Sequence, residues 1–111
     1  MLNQISPLDT LFQALADPTR RGIVERLAQG PQAVSELGAG LPISLPAVMQ
    51  HLGVLQAAGL VDSRKTGRVR MVWLNPAALQ RLGRWAQAQQ AMWETRLDGL
   101  GDYLDETDAK D

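Results

Sequence analysis

The chain has 111 residues, a formal net charge of −1, no cysteine and one histidine. That length bounds one domain with a modest core, and the absence of thiols excludes disulfides, thiolate metal sites and cysteine nucleophiles. No apolar run approaches the roughly 20 residues that cross a bilayer, and MLNQISPLDT lacks the regions of a signal peptide, so a cytoplasmic location is expected.

Residues 1–6 read as a flexible leader, and a single domain is expected over 7–106. Leu8, Leu11, Phe12 and Leu15 recur at helical spacing and predict a first helix over Pro7–Ala16. Asp17-Pro18 is an N-cap followed by proline at the first helical position. The second helix it starts turns Ile23, Val24 and Leu27 inward and ends at Gly30-Pro31. Ala33–Gly38 is a short third helix with Val34 and Leu37 inward, and Leu41-Pro42-Ile43 is the turn that follows. Ser44 caps a fourth helix, Pro46 falls in its first turn, and Gly59 suits the left-handed residue just past its end. Leu45, Val48, Leu52 and Leu55 form its inner face, leaving Ala47, Gln50, His51 and Val54 for a partner. Leu60-Val61 and Val69–Leu74 read as strands. Their connection, Arg64-Lys65-Thr66-Gly67-Arg68, places three cations at a hairpin tip.

Asn75-Pro76 repeats the cap-plus-proline signal and opens a long last helix, with 107–111 expected as a frayed acidic tail. Leu79, Leu82, Ala86, Trp93, Leu97, Leu100 and Leu104 approximate a heptad stripe. A helix of about 30 residues reaches roughly 45 Å, more than so small a body covers, and a second copy of the same helix is the simplest partner. The expected dimer interface joins Leu11, Phe12 and Leu15 of the first helix to Leu82, Trp93, Leu97, Leu100 and Leu104 of the last. Trp85 and Trp93 lie eight residues apart, on roughly one side of that helix. They are a candidate pocket for an organic effector, although plain interface packing accounts for them more simply.

The order of a capped helix, a strand, a basic turn and a second strand describes a helix that can enter a DNA groove followed by a β-hairpin wing, in a chain that is mainly α and arranged α-α-α-α-β-β-α. Charge supports a polyanion partner. Nine Lys/Arg and three acids lie between Arg20 and Arg84, whereas seven acids and two cations lie from Glu94 onward, a basic body with an acidic end. Small and amide side chains on the fourth helix can approach base edges in the major groove, which is about 12 Å wide. Gln50 suits adenine, His51 guanine N7 or a phosphate, Ala47 a thymine methyl, and Ser44 a phosphate at the helix start. Arg20 and Arg21 can meet the DNA backbone, and Arg64, Lys65, Arg68 and Arg70 can place the wing along or into the minor groove.

Three segments together resemble the ArsR/SmtB family of bacterial winged helix-turn-helix repressors: LFQALADPTRRGIVERLAQG, VSELGAGLPISLPAVMQHLGVLQAAGLV and GRVRMVWLNP. The resemblance covers about residues 8–105. It implies a homodimer that pairs first and last helices, binds imperfectly palindromic operator DNA and, in many members, releases it when an effector binds. Several positions depart from the family's metal sensors. The third helix reads Ser35-Glu36-Leu37-Gly38 with no thiol, and the last helix has no histidine. The carboxylates Asp98, Asp102, Asp105 and Glu106 read as a solvated helix end rather than a cation site. The chain therefore resembles a cysteine-free branch, for which neither a metal nor a cofactor is expected. The fourth helix also carries no Lys or Arg between Ser44 and Gly59, so affinity must come from flanking cations and specificity partly from DNA shape. An enzyme is not expected: the single His51 has no nucleophile or carboxylate partner by spacing, and no Gly-rich phosphate loop is present. The rival reading is a winged helix used as a protein-interaction module that docks through its tryptophan-bearing last helix.

Overall fold

The computed structural model describes residues 6–109. Of the expected leader, residues 1–5 lie outside the described residues, and Ser6 is not part of a leader at all. Its hydroxyl accepts from the Asp9 N–H at 3.1 Å while the Asp9 carboxylate accepts from the Ser6 N–H at 3.2 Å. This reciprocal cap starts α1, Pro7–Leu15. The Asp17 carboxylate caps α2, Pro18–Leu27, by accepting from the Arg20 N–H at 3.0 Å. A two-residue strand β1, Gln32–Ala33, leads into α3, Val34–Ala39, where the Glu36 carboxylate accepts from the Ala33 N–H at 2.9 Å. Ser44 caps α4, Leu45–Ala57. Strands β2, Val61–Thr66, and β3, Val69–Leu74, precede α5, Pro76–Ala109.

Gly59 takes the left-handed conformation, φ 80°, that turns the chain from α4 into β2. Gly67 does the same at φ 63° in the two-residue turn Gly67-Arg68, whose geometry matches the right-handed twist of the strands it joins. All pairing is antiparallel in the order β1-β3-β2, with Gln32 opposite Val72 on one edge of β3 and Val61 opposite Leu74 on the other. The core gathers Leu11, Ile23, Leu37, Val48, Leu55, Leu60, Val61 and Val72, each below 2% exposed. Every helix from α1 to α4 and both wing strands thus contribute or abut a buried side chain, which fixes α4 relative to the hairpin.

Several sequence expectations are corrected. Strand β1 was not foreseen, because two residues carry no periodicity. Strand β2 continues to Thr66, so Arg64 and Lys65 belong to a strand and only Arg68 sits in the turn. Leu45 is 53% exposed rather than inward, and α4 packs through Val48, Leu52 and Leu55. Leu11, expected at a dimer interface, is fully buried within the chain. Helix α5 runs to Ala109, past the expected end at 106. By contacts the chain divides into Met1–Gln80 and Arg81–Asp111. The second unit, within α5, leaves Trp85, Met92, Trp93, Leu97, Leu100, Tyr103 and Leu104 exposed.

Candidate nucleic-acid interface

On helix α4 Gln50 and Val54 are exposed and Ala47 and His51 partly so, while Val48, Leu52 and Leu55 hold its other face in the core. The 100° step of a helix separates these two faces from one alternating pattern of small, amide and branched residues. Ser44 is exposed at the N-terminus, and its hydroxyl accepts from the Ala47 N–H at 3.3 Å. The hydroxyl thus caps one first-turn N–H, and Pro46 has none to offer, so Ser44 is the exposed polar group at the start of α4.

His51 is half-buried against α2. Its Nδ1 stands 4.0 Å from a carboxylate oxygen of Asp17 and 3.5 Å from Nη1 of Arg20. The same guanidinium donates from Nε to the Ala14 carbonyl at 2.6 Å and from Nη2 to the Gln13 carbonyl at 3.2 Å. Arg21 donates to the Leu15 carbonyl at 2.7 Å. Both arginines thus cover the carbonyl end of α1, where the helix dipole favours cations. The Asp17 carboxyl is held below the usual carboxylate range, first by the hydrogen bond from the Arg20 N–H. Partial desolvation opposes this, and the charges of Arg20 and His51 add to it.

On the hairpin, Arg64, Lys65 and Arg68 are exposed, and Arg70 is half-buried. Arg70 donates from Nη1 to the Ser63 hydroxyl at 2.9 Å, and that hydroxyl donates to Gln56 Oε1 at 3.4 Å. Among the described residues none of these four cations is ion-paired. Hairpin cations that form no ion pair are suited to an external polyanion. Among the described residues no three His, Asp or Glu side chains gather as a metal site, and no helix is long and apolar enough to cross a membrane.

Of the residues named from sequence, the first unit therefore holds Ser44, Ala47, Gln50, His51, Arg20, Arg21, Arg64, Lys65, Arg68 and Arg70. Arg20, Arg21 and Arg70 also have intramolecular partners. No local signal marks Asp17 as a neighbour of His51, or Ser63 and Gln56 as partners of Arg70. Those contacts exist only once α2 and the hairpin have packed against α4.

A profile described as a helix-turn-helix domain matches residues 15–64. The chain is 47% identical over 97 residues to the HTH-type transcriptional regulator Rv2034 of Mycobacterium tuberculosis, covering 87% of this chain and 88% of the relative. It is 30% identical over 78 residues to the transcriptional repressor SdpR of Bacillus subtilis, covering 70% of this chain and 87% of that one. A crystal structure of an ArsR family transcriptional regulator superposes with TM-score 0.77 at 39% identity, covering 80% of this chain and 98% of that one. The homodimeric winged helix-turn-helix DNA-binding domain of a Mycobacterium bovis protein superposes with TM-score 0.63 at 25% identity, covering 81% and 90%. With a reading helix, a basic wing and relatives of matching length, this chain belongs to the ArsR/SmtB family of winged helix-turn-helix, DNA-binding transcriptional regulators.

Proposed function

We propose that the protein is a dimeric, non-enzymatic repressor acting in the cytoplasm on a near-palindromic operator. The observation that carries this reading is the joint presence, in one unit, of an α4 face free for bases and a hairpin whose cations lack acids. Gln50 and His51 read base edges in the major groove, Ala47 abuts a thymine methyl, and Ser44 takes a phosphate at the helix start. Arg64, Lys65 and Arg68 hold the wing on the backbone or in the minor groove, with Arg20, Arg21 and Arg70 in supporting positions.

Dimerisation is supported by the exposed stripe of α5 and by the homodimeric M. bovis neighbour. Leu97, Leu100 and Leu104, at 41%, 50% and 51% exposure, are apolar groups that a second copy would cover, together with Leu82, Trp93, Leu15 and Phe12. Repression is inferred from the B. subtilis relative, a transcriptional repressor. A soft-metal signal does not fit the donors: the chain has no thiol and a single imidazole, and that imidazole lies against Asp17 and Arg20. The signal is an organic ligand or a partner protein, with Trp85 and Trp93 one place for it to act.

Fluorescence anisotropy with labelled duplexes tests this reading. Affinity should fall steeply with salt, and Lys65→Ala or Arg68→Ala should each weaken every duplex and lower the salt slope by about 1. Salt-insensitive binding, or none, contradicts it.

A further inference from the structure

Lys65 and Arg70 face each other directly across the β2–β3 ladder. Like charges in that register repel and weaken the sheet, and among the described residues neither is ion-paired. Residues two apart on a strand share a face, so the face carrying Lys65 and Arg70 also carries Ser63 and Val61 of β2 and Val72 of β3. Val61 and Val72 are each 1% exposed, which identifies this as the inner face of the hairpin, the one turned toward α4.

Between α4 and that face lies a cleft of about 280 Å³, lined from the helix by Met49, Leu52, Gly53 and Gln56 and from the hairpin by Ser63 and Arg70 among others. A neighbouring hollow of about 320 Å³ shares Met49 and Arg70 and adds Lys65 and Arg68. The hydrogen-bonded series Arg70–Ser63–Gln56 fixes the guanidinium at the cleft and engages only Nη1. A guanidinium has five N–H donors in a planar fork that matches a carboxylate. Beside it stands the Met49 side chain, 44% exposed, over a floor formed by the largely buried Leu52 and Val72.

The geometry points to a binding site, between the reading helix and the wing, for a small organic monoanion: a carboxylate with a short apolar body. The volume is near the lower end of small-molecule sites, about 300 Å³, which limits the body to a few carbons. A DNA phosphodiester would use Arg70 but leave the apolar wall unused, and the combination of both favours a small ligand. The inference has a regulatory consequence that rests on the DNA-binding reading. If α4 occupies the major groove and the wing the adjoining minor groove, the sugar-phosphate strand dividing the two grooves passes between helix and wing. A molecule held by Arg70 stands in that passage, so ligand and DNA exclude one another without any change in the dimer.

The test uses the full-length chain with hexanoate as probe, and hexanol and inorganic phosphate as controls, followed by amide NMR. Hexanoate should give saturable changes at Gly53, Gln56, Ser63 and Arg70, and bind at least about tenfold more tightly than either control. Arg70→Gln should weaken hexanoate about tenfold. If that variant unfolds, Gly53→Leu decides: a Cβ there meets nothing within 4 Å, leucine is the better helix former, and its side chain should close the cleft to hexanoate. In anisotropy, hexanoate should raise the apparent Kd for duplex DNA by the factor 1 + [L]/Kd. Phosphate binding as tightly as hexanoate, hexanol binding as tightly, changes centred on Trp85 and Trp93, or DNA affinity indifferent to saturating hexanoate would each overturn the proposal. If the ligand-free chain binds no duplex, the DNA reading fails, while the amide titration still decides the site.

Discussion

Nη1 of Arg20 stands 3.5 Å from Nδ1 of His51, a contact that bridges 31 positions of sequence and joins α2 to the reading helix. The Asp17 carboxylate lies 4.0 Å from the same ring nitrogen, so His51 is held between an anion and a cation at the start of α2. Arg20 therefore braces His51 against α2 while closing the end of α1 through the Gln13 and Ala14 carbonyls.

Replacing Arg20 tests both roles. Arg20→Met should cost about 1.5–3 kcal/mol in urea unfolding, the range for hydrogen bonds to a charged group. Arg20→Lys should recover only part of it, because an ammonium cannot span two carbonyls and a ring nitrogen as a planar fork does. In DNA binding, His51→Gln should retain more selectivity than His51→Ala, since glutamine keeps an N–H donor of similar reach. Equal selectivity for the two would remove His51 from base reading.

Asp17 gives the pH dependence a sign. Its folded pKa is depressed, so its contribution is fully present above the unfolded carboxylate pKa, about 3.9, and is lost as pH falls through the lower folded value. Asp17→Asn keeps a capping side chain but not the titration. The stability gap between wild type and Asp17→Asn should be flat from neutral pH to about pH 5, then shrink in acid. Urea unfolding of both proteins across that range checks it, and a gap that persists unchanged to the acid limit would contradict the assignment.

Burial on α4 separates two leucines that sequence spacing treats alike. Leu55 is 0% exposed and Leu45 is 53% exposed. Leu55→Ala should cost about 2–5 kcal/mol, and Leu45→Ala within about 0.5 kcal/mol. Similar losses in denaturant unfolding would mean that the inner face of α4 is misplaced.

These two residues also show how far the sequence could be read. Caps and helix ends were legible because they depend on neighbours: Asp17-Pro18, Ser44-x-Pro46 and Gly59 each act locally, and all lie where expected. Leu45 departs from its expected inward place because helical periodicity ranks positions around an axis but does not show how wide a stripe the neighbours cover. Strand β2 is longer than the sequence suggests because the ladder to β3 holds Arg64 and Lys65 in the strand, although their charged side chains and the following glycine read as a turn. The candidate DNA contacts were legible as residue types on one helix face and one hairpin. Their partners were not, since Arg20–His51 and Arg70–Ser63–Gln56 arise from tertiary packing.

The α5 stripe carries the assembly prediction. Leu97→Glu combined with Leu100→Glu should convert a dimer into monomers by light scattering, because each places a charge where an apolar side chain, 41% and 50% exposed in the single chain, would be covered by the second copy. A dimer of unchanged dissociation constant would refute an α5-based interface.

Selection of bound duplexes from a random library tests the central claim most directly, done in parallel for wild type, Gln50→Ala and Arg68→Ala. The account predicts a near-palindrome with half-sites about one helical turn, 34–36 Å, apart. Gln50→Ala should relax preference at particular positions by about 1–3 kcal/mol, while Arg68→Ala should keep the motif and weaken every member of it. Recovery of no motif from wild type, with equal binding to every duplex, would contradict the account.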